Sequence, residues 1–340
     1  MRTQAIRAGI RHLFTGFALS LLPLFMAGAI YQAISLFLDS RHYPSLGKLV
    51  DVGGYRLHIY SSGEGSPTVV MDAGLCHTSL VWSLVQAKVA TFTRVCIYDR
   101  AGYAWSDLGP NPRTSRQISK ELHALLKNAN IPGPYLLVGH SFGGLNMAVY
   151  AGEYPDEVAG LVLVDAIPTT IARHNPAELR YFILMNRVKF RLLSLINRAG
   201  LIRFYIRLRG VDAALDFARG LPAVFQPMVV AGSLRKTLLA AALESNWMGE
   251  SVRMATSCTR FDFPLVVFSH GKPDMFEGMM SEREIEKAEE SWRQMQAEMA
   301  RLSPQGKLII AENSGHIIHI EQPELVVEAI REVVEHIREN

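Results

Sequence analysis

Cysteine is scarce in this chain of 340 residues, which holds only Cys76, Cys96 and Cys258. The three share no metal-ligand spacing and cannot all pair, so the sequence offers neither a disulfide framework nor a structural zinc site. Net charge is equally scant. A formal +3 at pH 7 is too little for an electrostatic footprint on nucleic acid, and no nucleic-acid partner is expected. Internal repeats and low-complexity tracts are also missing. With 49% hydrophobic and 20% charged residues, the composition is that of a globular protein with an apolar addition. The length suits one large α/β domain carrying an insertion.

Two local absences of charge say more. From Leu13 to Leu38, 26 consecutive residues carry none. As a helix they would rise about 39 Å, enough to cross a hydrocarbon core of about 30 Å with some tilt. Arg2, Arg7 and Arg11 precede the run, so the positive-inside rule puts residues 1–12 in the cytoplasm and the bulk of the chain on the other side. The competing reading is a signal peptide cleaved near Ala27-Gly28-Ala29, leaving a secreted or periplasmic protein. The apolar run continues nine residues past that site, which favours a retained anchor. The second absence is of acidic residues. Between Arg180 and Arg209 there are eight basic side chains and no Asp or Glu, interleaved with Phe, Leu and Ile. Such a stretch fits a basic, apolar helical pair resting on an anionic membrane surface. An ordinary cap with solvated arginines and an inward apolar face gives the same pattern.

Between these segments the chain alternates strand and helix signals. Leu49–Val52 and Arg56–Tyr60 flank Gly53-Gly54 and read as a hairpin. Thr68–Met71 and Arg94–Tyr98 read as strands, with a helical stretch from Ser79 to Ala90 between them. Thr114-Ser115-Arg116-Gln117 opens a further helix. The apolar run Pro134–Val138 leads into Gly139-His140-Ser141-Phe142-Gly143-Gly144, and Leu145–Ala151 reads as a helix. A serine between a strand end and a helix start, with Gly139 and Gly143 two residues to either side, has the G-x-S-x-G form of a nucleophile elbow. A strand over Val158–Val164 follows; residues 168–262 are helical in pattern; strands resume at Pro264–Phe268 and Lys307–Ala311, and a last helix covers Glu324–Ile337. The expectation is an α/β fold, mostly parallel, with helices on both faces of the sheet and a helical cap inserted at 168–262. The divisions expected are an anchor (13–38), a linker (39–46), a first core part (47–167), the cap, and a second core part (263–340).

Four segments, Tyr98-Asp99-Arg100-Ala101-Gly102-Tyr103, the Ser141 elbow, Leu161–Asp165 and Ser314-Gly315-His316, resemble the α/β-hydrolase superfamily in its serine-nucleophile, esterase/lipase-like branch. They fall in that superfamily's order over about residues 47–338. The resemblance implies a Ser-His-Asp triad with Ser141 as nucleophile and His316 as base. His319 is expected to pack nearby, His140 to support the elbow, and His58, His77 and His270 to be structural or pocket-lining. For the acid, the resemblance points to Asp274 in Gly271-Lys272-Pro273-Asp274, with Asp165 as the alternative. The long helical stretch Ser281–Leu302 after Asp274 departs from the family pattern. The backbone N–H groups of Leu75 and Phe142 are the implied oxyanion donors; relatives carry His where Ala73 stands. Asp99 and Arg100 are implied to brace the structure. The implied activity is hydrolysis of carboxylic esters, with a small-molecule or lipid-like acyl substrate and no metal or organic cofactor. Amide or peptide hydrolysis on the same triad, and ligand binding without turnover, are the alternatives.

Overall fold

The computed structural model describes residues 2–174, 176–210, 216–273 and 281–339. It begins with helix α1 (Arg2–His42). The hairpin follows as β1 (Lys48–Asp51) and β2 (Arg56–Ser62), with the Asp51 side chain accepting the Gly53 and Gly54 N–H groups at the turn. Next come β3 (Thr68–Asp72), α2 (Ser83–Val89), β4 (Val95–Asp99) and α3 (Ser115–Asn128). Thr114 caps α3 by accepting the Gln117 N–H, as its place before the helix predicts. Then β5 (Tyr135–His140), α4 (Phe142–Glu153) and β6 (Val158–Val164) complete the first part of the sheet.

Among the described residues, five α-helices intervene before the sheet resumes: α5 (Ile171–His174), α6 (Pro176–Arg198), α7 (Leu201–Arg209), α8 (Gln226–Gly232) and α9 (Leu238–Thr256). The chain then forms β7 (Leu265–His270), α10 (Glu282–Ala300), β8 (Gly306–Ala311), α11 (Ile318–Glu321) and α12 (Pro323–Glu339).

The eight strands make one sheet in the order β1-β2-β4-β3-β5-β6-β7-β8. Pairing is antiparallel from β1 through β4 and parallel from there on. This is the mostly parallel α/β architecture that the alternating pattern predicts. Successive residues of the central strands enter opposite cores, as the two-residue period of a strand requires. Val69, Met71, Leu136, Val138 and Val162 face one core, while Val70, Leu137, Leu161 and Leu163 face the other. Because both faces are covered, these strands are apolar throughout rather than alternating. Each such side chain, fully buried, contributes about 1.5–3 kcal/mol. The sheet is thereby a rigid base, and its strand ends position the groups described next.

Candidate active site

Strand β5 ends at His140 and α4 starts at Phe142, leaving Ser141 alone at the corner with φ 54° and ψ −120°. A non-glycine residue in this region stores about 1–3 kcal/mol and persists only when its surroundings hold it. Here the hold is explicit. The Ser141 N–H donates to the Val164 carbonyl (3.2 Å), and the Ser141 carbonyl accepts the Ile167 N–H (3.1 Å). The glycines are there for space. A Cβ on Gly143 would lie 2.5 Å from the carbonyl oxygens of both Asp72 and Ala73, and one on Gly139 would lie 2.5 Å from the Gly144 Cα. The elbow therefore nests against the end of β3 only because position 143 has no side chain.

His316 stands in the loop between β8 and α11, and its Nδ1 lies 2.5 Å from Asp165 Oδ2. Asp165 directly follows β6, is fully buried, and has φ 45°. Since Val164 accepts the Ser141 N–H, the serine and this aspartate sit at adjoining strand ends. His140, next to the serine, donates through Nε2 to the His316 carbonyl (2.9 Å), so it supports the elbow as expected. Burial, with the neighbouring histidines, keeps its ring well below the usual histidine range and hence neutral. Among the described residues Asp165 is in contact with His316; Asp274, the other aspartate weighed from the sequence, lies outside them.

Asp165 gathers more donors than a triad requires. His270 Nδ1 meets the same Oδ2 at 2.7 Å, and the Trp292 indole N–H donates to Oδ1 at 2.8 Å. Burial opposes ionisation of this carboxyl, but the hydrogen bonds from His270 and His316 overcome it and hold the group at about 2. His270 Nε2 faces a second carboxylate, Glu289, at 2.8 Å. A ring with a carboxylate at each nitrogen carries both protons. Burial works against that charge, yet Asp165 and Glu289 raise the His270 pKa to about 10.

The chain His316–Asp165–His270–Glu289 extends what the sequence suggests. His270 is not merely pocket-lining, and Glu289, Trp292 and Gln296 were not signalled at all. Gln296 donates to the Ala166 carbonyl (2.8 Å), pinning the backbone next to Asp165. These three lie at helical spacing on one face of α10, the helix that departs from the family pattern. That departure supplies the support of Asp165. Asp165, His270 and His316 also place ligand atoms within 4.8 Å of one another. The Glu289 bond argues for a protonated His270, whereas metal ligation needs a bare ring nitrogen.

The loop after β3 lies against the elbow. Arg100 is buried and holds this loop: one terminal nitrogen donates to Asp72 Oδ1 and to the Ala73 carbonyl (both 2.6 Å), the other to the Gly74 carbonyl (3.1 Å). Two more bonds run from Arg100 to the Glu244 carboxylate on α9 (2.9 and 3.1 Å). Tyr103 donates to Glu244 (2.6 Å) and accepts the Cys76 N–H (3.2 Å). The loop that carries Leu75 is thus fixed through Arg100 and Tyr103 to a helix of the cap. Arg100 braces as expected, and its reach to the Ala73 and Gly74 carbonyls secures a loop in which Ala replaces the family's His. Asp99 braces too, binding His58 Nδ1 and the Ser79 N–H. Burial pushes the Cys76 thiol up to about 12. At the first position of α4, the Phe142 N–H lacks an intrahelical acceptor. His319 is fully buried, its ring 4.3 Å from that of Trp82 and 4.5 Å from that of His140. Leu75, Cys76 and Ile202 of α7 all pack against a buried cluster of Phe190 on α6 with Leu238, Ala241 and Ala242 on α9.

Comparisons with known proteins agree with this architecture. YqjL of Bacillus subtilis, an uncharacterized protein, is 26% identical over 289 residues, which is 84% of this chain and 91% of YqjL. The probable transporter efuK of Hormonema carpetanum is 32% identical over 149 residues, covering 41% of this chain but only 21% of efuK. Among solved structures, a thermophilic esterase from Thermogutta terrifontis superimposes with a TM-score of 0.56 at 21% identity, covering 85% of this chain and 97% of the esterase. At that identity the likeness concerns the fold. The model of the alpha/beta hydrolase family matches residues 69–329, and the chain belongs to that family.

Proposed function

We propose that this chain is a membrane-anchored serine hydrolase that cleaves carboxylic esters, with Ser141 as nucleophile, His316 as base and Asp165 as the acid. The observation that carries the reading is the Asp165–His316 bond of 2.5 Å at the strand end adjoining the strained Ser141 elbow. In this reading His316 takes the hydroxyl proton as Ser141 attacks the acyl carbonyl. The Asp165 carboxylate fixes the ring by its Nδ1–H and stabilises the imidazolium without taking the proton. The N–H groups of Phe142 and Leu75 hold the oxyanion. His316 then protonates the leaving alcohol, and water releases the acyl group from Ser141 by the same steps reversed.

The anchor rests on α1, the one helix among the described residues long and apolar enough to cross a membrane by length and composition. Its basic N-terminal flank supports a cytoplasmic N-terminus with the catalytic domain on the other side.

A fluorophosphonate probe tests the chemistry. The wild type should label and Ser141→Ala should not; a folded wild type that stays unlabelled overturns the assignment and favours a ligand-binding protein without turnover. A panel of p-nitrophenyl esters of rising chain length, run beside the matching anilides, then separates esterase from amidase activity.

A further inference from the structure

The anchor helix is not a free tether. Gln32, in the middle of an apolar sequence, is 4% exposed. Its amide nitrogen donates to Asn197 Oδ1 (3.3 Å) and the Leu234 carbonyl (3.1 Å), both in the cap, and its amide oxygen accepts from Arg203 Nε (3.0 Å). Arg203 also pairs with Asp39, one turn short of the helix end, at 2.6 Å. One turn before Gln32, a Cβ on Gly28 would stand 2.1 Å from the Ala199 carbonyl oxygen. Helix α1 therefore crosses the α6–α7 junction in backbone contact and is locked there by buried polar bonds. From Leu13 to Gln32 the helix rises roughly 30 Å, the thickness of a hydrocarbon core. In a register that starts the span at Leu13, the clamp falls at the bilayer edge and residues 33–38 lie beyond it.

The cap helices at that level are apolar on two sides. Their inner face is buried through Leu179, Ile183 and Phe190. The outer face of a water-exposed helix is normally polar. Here it presents Leu184, Val188 and Leu195 on α6 and Phe204 and Leu208 on α7, each more than half exposed, and the segment from Arg180 to Arg209 contains no Asp or Glu. Arg198, Arg207 and Arg209 are exposed beside them. Leucine and phenylalanine among arginines, without carboxylates, match the layer between acyl chains and anionic headgroups.

We infer that the outer face of α6–α7 is a membrane-contact surface that lies in the interfacial layer of an anionic bilayer, held at that depth by the Gln32–Arg203 clamp. The inference rests on the anchored reading of α1 and adds a second contact to it. It also bears on the substrate. Leu75 and Cys76 of the oxyanion loop pack against the buried cluster that includes Phe190 on the inner side of α6, so the site sits one helix thickness from lipid, and the substrate class that fits is an acyl ester carried in the bilayer.

The full chain in nanodiscs of phosphatidylcholine, with and without phosphatidylglycerol, tests this by photocrosslinking. The benzophenone amino acid p-benzoylphenylalanine is placed at Phe25 in the anchor, at Leu184 and Phe204 on the proposed face, and at Glu290 on α10 as a distant control. Lipid adducts at positions 184 and 204, well above those at 290 and enriched with phosphatidylglycerol, are expected. The triple change Arg198→Glu, Arg207→Glu and Arg209→Glu should lower the yield at 204 by at least about fivefold, the effect of about 1 kcal/mol for a single basic residue near an anionic surface. Adducts at Phe25 alone overturn the contact surface and leave the anchor standing. Adducts from 204 to a second copy of the chain overturn it in favour of a protein interface, and equal yields in both lipids overturn the anionic preference. Failure at Phe25 itself overturns the anchored reading.

Discussion

His270 binds Asp165 through Nδ1 at 2.7 Å and reaches Glu289 through Nε2 at 2.8 Å, so a buried cation stands directly behind the carboxylate that meets His316. A triad acid must stay ionised in a dry site, and a neighbouring imidazolium is a strong means of keeping it so. Glu289 makes that cation sustainable, since one carboxylate shared with His316 would leave the second ring nitrogen of His270 buried without a partner.

Replacing His270 by Asn should therefore act through Asp165. The carboxyl loses the largest of the contributions that hold it near 2, so the acid limb of the kcat/KM profile should move to higher pH, and kcat should fall about tenfold, or about 1.4 kcal/mol of barrier. Stability supplies an independent sign. The His270 pKa is raised from 6.5 to about 10 on folding, so its contribution is full below about pH 6.5 and is lost as pH rises through about 10. Urea titrations should show the wild-type advantage over His270→Asn shrinking across that range. A constant gap from pH 6 to 10, with an unshifted acid limb, would mean that His270 only fills space.

The choice of acid yields a sharper contrast. Asp165→Asn retains the shape of the site but removes the acceptor that fixes the His316 tautomer, and kcat should drop on the order of 10³–10⁴-fold. Asp274→Asn should cost less than about tenfold in the same assay. The reverse ranking would reassign the acid.

The elbow and the late histidine were legible because each is encoded locally: a serine framed by Gly139 and Gly143 between an apolar strand and a helix, and Gly315-His316 after the last strand. The acid was not. Asp165 looks like any aspartate ending a buried strand, and what selects it comes from afar: His316 lies 151 residues on, Trp292 lies 127, and His270 lies 105. Glu289, Trp292 and Gln296 share a helix face, a pattern visible in the sequence, but an amphipathic helix shows such faces routinely and nothing local says that this one addresses an aspartate. The cap was recognisable as helical, yet only tertiary contact shows that Gln32 and Asn197 meet, or that Glu244 reaches, through Arg100 and Tyr103, the loop that carries Leu75.

Glu244 is the cap's handle on that loop. With Glu244→Gln, Arg100 retains Asp72 but loses the opposing charge on its other side, and a single amide oxygen replaces the two carboxylate oxygens that accept from Arg100 and from the Tyr103 that holds the Cys76 N–H. Breaking a buried ion pair in this way should destabilise the fold by about 3 kcal/mol. A displaced oxyanion loop should also lower kcat by as much as about 100-fold, with KM changed much less. Kinetics well below the melting temperature separate the two effects. Full kcat in a destabilised Glu244→Gln protein would limit this residue to a packing role.

The strain at Ser141 can be measured by comparing two variants that both lack the hydroxyl. Ser141→Ala keeps a Cβ at φ 54°, while Ser141→Gly removes the steric cause of the strain. If the elbow stores energy, the glycine variant should be the more stable of the two by about 1 kcal/mol, a rise of about 2 °C in Tm for a chain of this size. Glycine's greater freedom in the unfolded state works against this difference, so any excess of the glycine variant is a lower bound on the strain. Circular-dichroism melts of the two inactive proteins in the same detergent provide the comparison. A glycine variant less stable than the alanine variant by the full roughly 0.5–1 kcal/mol that glycine's freedom costs would show that the hydrogen bonds from Ser141 to Val164 and from Ile167 to Ser141 define an unstrained corner.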